Sequence, residues 1–237
     1  MRKILCIAHR GASAYRPENT IKAFEKAIKQ HADCIEIDVQ KTADNQLVVY
    51  HDTSFQNKEL LKDQNLAAVK QEGKSRGIDV PTLDEVLDKL NNRIILNIEI
   101  KSPGLVDLLV KKLKAYDPKK IICSSFIHSV LSEFEAKAPG IARAPVIGCQ
   151  MLDPLRLLKN TNSEILVQNH EFVDKNYVEL LHKKNKRIFV YTVNKVAALN
   201  QMIGYNVDGI MTDYPDVLVG LLNKQTMDNN RPEALAC

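Results

Sequence analysis

Short β-branched runs alternate with amphipathic stretches of helical period along almost the whole chain, and this alternation narrows the possible folds more than any other feature. The strand-like runs span residues 4–8, 34–39, 47–50, 94–100, 120–125, 144–149, 165–168, 188–193 and 209–212. Between them, Ile21, Phe24, Ala27 and Ile28 form one apolar helical stripe, with Asn19 read as its N-cap. Leu83, Val86, Leu87 and Leu90 line a second helix after Pro81-Thr82, and residues 105–113 and 177–181 behave similarly. Strand and helix in turn imply a parallel sheet joined by crossover helices.

At 237 residues the chain is close to the roughly 250 of a single (β/α)8 barrel. Nine strand-like runs compete for eight places, so one is an extra outside the barrel or a misreading. Residues 40–45 are too few for a crossover helix, which takes about a dozen residues or more. The run at 47–50 is therefore either the returning arm of a hairpin or a parallel strand on an extended return. Residues 53–80 are more polar and read as a small insertion or lid after the third run, within one barrel domain spanning residues 1–222. A polar tail, read as loosely ordered, occupies 223–237.

Lys+Arg 33 against Asp+Glu 29 gives a net charge of +4, with no dense basic block, so a nucleic-acid partner is not expected. Cys6, Cys34, Cys123, Cys149 and Cys237 are odd in number and share no Cys-x-x-Cys spacing. They imply neither a disulfide framework nor a zinc site, and they fit a reducing compartment. The N-terminal apolar run stops at His9-Arg10, short of a signal segment or a membrane span. A cytoplasmic protein without stable membrane insertion is expected.

Polar residues at the ends of the apolar runs carry the chemistry, since barrel active sites form at the C-terminal ends of strands. One run ends in His9-Arg10-Gly11 and another in His51-Asp52, which supplies two acid/base candidates. Either histidine also reads as an ordinary strand-end residue. Period-two alternation puts Glu36 and Asp38 on one face of a strand, and Glu99 with Lys101 on one face of another. A solvated acidic face would explain this in a half-exposed antiparallel sheet, but it suits strands covered on both sides poorly. Crowded carboxylates inside a barrel mouth need cationic partners or a metal. Three carboxylates without cysteine make a hard oxygen site suited to Mg²⁺ or Ca²⁺, and Arg10 and Lys101 add fixed charge for a phosphate.

Eight segments occur in order: His9-Arg10-Gly11 with Pro17-Glu18-Asn19-Thr20, Glu36-Ile37-Asp38-Val39, Val48-Val49-Tyr50-His51-Asp52, Pro81-Thr82-Leu83, Asn97-Ile98-Glu99-Ile100-Lys101, Ser124-Ser125-Phe126, Tyr191-Thr192-Val193-Asn194 and Asp208-Gly209-Ile210-Met211-Thr212-Asp213. Together they resemble the glycerophosphodiester phosphodiesterase family, most closely its small bacterial cytoplasmic members, over about residues 4–215. The resemblance implies a TIM-type α/β barrel of the phospholipase-C-like phosphodiesterase architecture. It also implies hydrolysis of glycerophosphodiesters to sn-glycerol 3-phosphate and an alcohol. The family's roles fall on His9 and His51 as acid and base, on Glu36, Asp38 and Glu99 as ligands of one divalent cation, and on Arg10 and Lys101 as phosphate contacts. A mechanism proposed for the family has the glycerol 2-hydroxyl attack phosphorus, giving a cyclic phosphate that water opens.

Departures from the family pattern are small. Asp44-Asn45 stands where an Asp-Gly turn is usual, and Tyr191 stands where many relatives carry Trp. Tyr191 and Phe126 are read as either substrate contacts or core aromatics, and Gln168 as a residue reaching the mouth. Asp213 is read as a loop or capping residue, and Glu18 as one directed at the site. Two other activities are weighed: a lysophospholipase D, and a non-catalytic barrel that binds phosphorylated ligands. The first needs an apolar surface for an acyl chain, and the second would show a missing site residue.

Overall fold

The computed structural model describes residues 3–55 and 59–229. Among them, the strands are β1 (Leu5–Ala8), β2 (Cys34–Lys41), β3 (Leu47–Val49), β4 (Ile95–Ile100), β5 (Ile121–Ser125), β6 (Ala142–Ile147), β7 (Ile165–Asn169), β8 (Arg187–Tyr191) and β9 (Gly209–Thr212). The helices are α1 (Ile21–Lys29), α2 (Leu66–Ser75), α3 (Leu83–Leu90), α4 (Val106–Leu113), α5 (His128–Lys137), α6 (Pro154–Asn160), α7 (Lys175–Lys183), α8 (Val196–Gly204) and α9 (Pro215–Asn229).

β1 pairs in parallel with β2 on one side and β9 on the other, and this closes a barrel of eight parallel strands. The strand left outside is β3. It pairs antiparallel with the far end of β2, Val39 opposite Val49, so 47–50 is the hairpin arm. Asn45 turns that hairpin at φ +58°, a conformation Asn tolerates better than most residues.

Alternation within each strand sorts side chains into two layers. Ile7, Cys34, Val146, Val167, Phe189 and Met211 fill the barrel interior. The alternate residues face the helices, as Ile35, Ile37, Leu96 and Ile98 do beneath α1, α3 and α4. At the base, a Cβ on Gly209 would come within 2.6 Å of Phe189 Cδ1 and 3.0 Å of Ile7 Cδ1, so the interior there has no room for a side chain. A capping box starts α3: Thr82 Oγ1 accepts from Glu85 N–H, and Glu85 Oε2 accepts from Thr82 N–H.

Two boundaries differ from the sequence reading. Thr20, not Asn19, caps α1, its Oγ1 accepting from Ala23 N–H. The polar stretch from Asn223 continues α9 to Asn229, while residues 230–237, with Cys237, lie outside the described ones. Within 53–80, α2 packs over a small apolar cluster of Val48, Phe55, Leu61, Val69 and Val80.

Candidate active site

β2 and β4 lie side by side in register, Asp38 beside Glu99 and Glu36 beside Asn97. Period-two alternation therefore aims Glu36, Asp38 and Glu99 into the barrel mouth. One ligand oxygen from each lies within 4.8 Å of the other two. Glu36 and Asp38 are only 2% and 1% exposed. Burial, then the charges of Asp38 and Glu99, pushes the Glu36 carboxyl well above its ordinary value of 4.5. Burial and Asp38 likewise raise Glu99, against the pull of Lys101.

Two cations face this cluster. Lys101 Nζ lies 2.8 Å from Glu99 Oε1 and 3.4 Å from Asp38 Oδ1. Arg10 Nε lies 3.2 Å from Asp38 Oδ2, and its Nη1 donates to Glu18 Oε1 at 2.9 Å. Burial disfavours the charge on each, but the surrounding carboxylates outweigh it and hold both protonated. The Arg10 backbone sits at φ +56°, a left-handed conformation costing about 1–2 kcal/mol outside glycine. It aims the Arg10 N–H at Glu36 Oε2, 2.9 Å away. Gly11 follows at φ +84°, where a Cβ would lie 2.8 Å from Ala23 backbone carbon.

His9 follows β1, and its Nδ1 meets Asp213 Oδ1 at 2.7 Å. Asp213 is no mere loop cap. Ser13 Oγ donates to its Oδ1 and Asn194 Nδ2 to its Oδ2. These donors, led by His9, hold its carboxyl below the ordinary 3.8 despite burial. His51 ends the run the sequence places it on, and that run, β3, is the strand outside the barrel. The hairpin rises above the mouth on β2 and returns, with Tyr50 N–H bonded to Asp38 O. Gln40, the next inward residue of β2, donates to the carbonyls of His51 and Asp52 at 3.1 and 2.9 Å. His51 Nδ1 lies 2.7 Å from Asp52 Oδ1. With each Nδ1 held by a carboxylate, Nε2 is the nitrogen of each ring left to meet another partner.

Asn19, read as a cap, instead lies buried with its amide on Asp38. Phe126, Tyr191 and Lys101 meet at one edge of the mouth. The two rings are edge-to-face at 5.9 Å, and Lys101 Nζ stands 6.0 Å from the Phe126 centroid. Tyr191 donates its hydroxyl to Ile147 O, and burial pushes its pKa up to about 12. Gln168 does not reach the mouth. It lies on the outward face of β7 toward Tyr177 of α7, with Nε2 bonded to Cys149 O. Asn169 occupies the inward position after Val167. Sequence reasoning missed Asn19, Gln40, Ser13 and Asn194. Asn19 and Asn194 stand in the segments that carry the family resemblance, and Gln40 continues the 36, 38 parity of β2.

Glu36, Asp38 and Glu99 face Lys101 and Arg10, and Glu18 also engages Arg10, so the acidic groups of this cluster outnumber its cations, with His9 and His51 beside it. The fold and this donor set are those of a barrel hydrolase with a carboxylate cluster able to hold a divalent cation. Residues 9–217 match the glycerophosphoryl diester phosphodiesterase family. A glycerophosphodiester phosphodiesterase of Caldanaerobacter subterraneus is 35% identical, over 94% of this chain and 99% of its own. One from Bacillus subtilis is 29% identical, over 91% of this chain and 85% of its own. A phosphodiesterase of Oleispira antarctica, solved with sn-glycerol-3-phosphate, superposes with a TM-score of 0.84 at 25% identity, over 92% of this chain and 96% of that one. The chain belongs to the glycerophosphoryl diester phosphodiesterase family. It is an enzyme of glycerophosphodiester hydrolysis. Among the described residues, no helix is long and apolar enough to cross a membrane.

Proposed function

We propose that this enzyme hydrolyses soluble glycerophosphodiesters to sn-glycerol 3-phosphate and an alcohol, using one Mg²⁺ or Ca²⁺ held by Glu36, Asp38 and Glu99. The carrying observation is the carboxylate cluster, whose ligand oxygens lie within 4.8 Å of one another and whose charge Arg10 and Lys101 offset only in part. Such a cluster fits a hard cation, which offsets the burial and mutual repulsion that raise the Glu36 and Glu99 carboxyls. When bound, the cation polarises a phosphoryl oxygen and neutralises charge developing on it.

The remaining work belongs to the chain. Arg10 and Lys101 take the other phosphate oxygens, and Lys101 orients the diester against the Phe126 edge. One histidine of the His9/His51 pair accepts the proton of the attacking hydroxyl through Nε2. The other donates a proton to the departing alcohol oxygen, and water then opens the cyclic phosphate to glycerol 3-phosphate, the two histidines exchanging roles to return the protons. Asp213 and Asp52 keep each ring in the tautomer that leaves Nε2 toward the substrate. Residues 1–222 act as one barrel domain around this centre. A cytoplasmic setting accords with the free thiols of Cys6, Cys34 and Cys123, all buried, and Cys149, exposed.

The test is a panel of glycerophosphodiesters assayed for glycerol 3-phosphate with each divalent cation in turn. Release that a chelator stops supports the reading. Cleavage of lysolipids in preference to the deacylated diesters favours lysophospholipase D, and binding without any release favours a non-catalytic barrel.

A further inference from the structure

Asn97 lies in the barrel wall one step below Glu99. Its neighbours on β4, Leu96 and Ile98, pack outward beneath the helices, while Ile95 packs with the barrel interior. Asn97 therefore shares the inward face of the strand with Ile95 and Glu99. Across the sheet it stands beside Glu36 of β2 on one side and Ile122 of β5 on the other. Its side chain is 0% exposed, and neither Nδ2 nor Oδ1 has a hydrogen-bond partner.

An amide taken out of water with both ends unpaired destabilises a fold. Packing gives no reason to keep one here, because Ile7, Cys34 and Ile122 make the interior around it apolar. The polar side chains flanking it on β2 and β4 are Glu36 and Glu99, both members of the carboxylate cluster. Each is already engaged: Glu36 Oε2 accepts from the Arg10 N–H, and Glu99 Oε1 from Lys101 Nζ. An ionised carboxylate also has nothing to donate to Oδ1. A cation held among those carboxylates does suit it. An amide oxygen is a regular ligand of Ca²⁺ and an acceptor for the waters that Mg²⁺ retains. Being uncharged, it adds an oxygen without a further negative charge to a cluster whose acids already outnumber its cations.

Resting on the cation reading above, we propose that Asn97 is a fourth protein member of the cation site, its Oδ1 serving the bound ion and its Nδ2 donating to Glu36.

The experiment combines calorimetric titration with Mg²⁺ and with Ca²⁺ and thermal melts of the stripped and cation-saturated protein. It uses the full chain as parent, Asn97→Ala and Asn97→Asp. Asn97→Ala should bind cation about 10- to 100-fold more weakly, the usual loss on removing a group that supports a metal site. Its stripped form should melt close to the parent, because the amide has no partner there to lose, and saturating cation should raise its midpoint less. Asn97→Asp keeps an oxygen at the same position and should bind at least as tightly as the parent. A structural amide would give the reverse pattern, a much lower stripped midpoint with cation affinity kept, and that result overturns the assignment. Should Asn97→Ala prove too unstable to titrate, Asn97→Asp decides: affinity at or above the parent's upholds the assignment, and weaker affinity overturns it. A parent that binds neither cation overturns the cation reading as well.

Discussion

Asn19 grips Asp38 twice: its Nδ2 donates to Asp38 Oδ2 at 2.8 Å, and its Oδ1 accepts the Asp38 backbone N–H at 3.2 Å. Asn19 holds this position at φ +57° and is 2% exposed. Groups that orient a metal ligand typically contribute roughly 10- to 100-fold to metal affinity. Asn19→Gly keeps a residue at ease in the left-handed region and removes only the amide. Titration calorimetry with Mg²⁺ or Ca²⁺ should show about tenfold weaker binding with the thermal midpoint nearly unchanged. Unaltered affinity would show that Asp38 needs no such support.

The two histidines differ in how firmly they are held. Asp213 carries three donors, whereas the Asp52 side chain is 66% exposed. Asp213→Asn should lower kcat by about 10²- to 10⁴-fold at similar KM, the range of a general acid–base contribution. Asp52→Asn should cost less than about tenfold, as an exposed pair does. Steady-state kinetics decides, and equal losses in the two variants would contradict the asymmetry.

The raised carboxyls of Glu36 and Glu99 make stability depend on pH and on metal. A carboxyl whose pKa is higher folded than unfolded stabilises the fold below the unfolded value, and that stability is lost as pH rises through the folded value. Stripped of cation, the protein should therefore melt at falling temperature as pH climbs above the ordinary 4.5. Asp213, with its depressed carboxyl, acts in the opposite sense and only near or below 3.8. Saturating Mg²⁺ or Ca²⁺ should flatten the profile and release protons on binding. Scanning calorimetry across pH, and titrations in buffers of different ionisation enthalpy, read both effects. A stripped protein whose midpoint rises steadily over that window would count against the cluster's electrostatics.

At the barrel base, Gly209→Ala should destabilise by about 1–3 kcal/mol, the usual range for overpacking, because its Cβ would strike Phe189. In chemical denaturation, adding Phe189→Leu should cost less in the Gly209→Ala background than alone. Strict additivity would locate the strain elsewhere.

Strand identities and the carboxylate cluster were legible because they rest on local periodicity: Glu36 with Asp38 and Glu99 with Lys101 each share a face two residues apart. The hairpin was half legible, since residues 40–45 forbade a crossover helix, but only the Val39–Val49 pairing shows the direction of β3. Gln168 misled because β7 is buried on both faces. Leu166 packs outward and Val167 inward, so apolar parity carries no sense of direction. The His9–Asp213 and Asn19–Asp38 contacts were invisible for another reason. Barrel closure brings together residues 204 positions apart in the first pair, and the second depends on a left-handed residue displacing the expected cap.

Whether a cation on Glu36, Asp38 and Glu99 serves glycerophosphodiester cleavage is read by stripping the protein with a chelator and measuring glycerol 3-phosphate release as Mg²⁺ or Ca²⁺ is restored, for the parent and for Glu99→Gln. The stripped parent should release nothing and recover fully on titration, and the Glu99→Gln curve should shift to higher cation concentration with a lower plateau. Undiminished release from the stripped parent, or superimposable curves for the two proteins, would contradict that role for the cation.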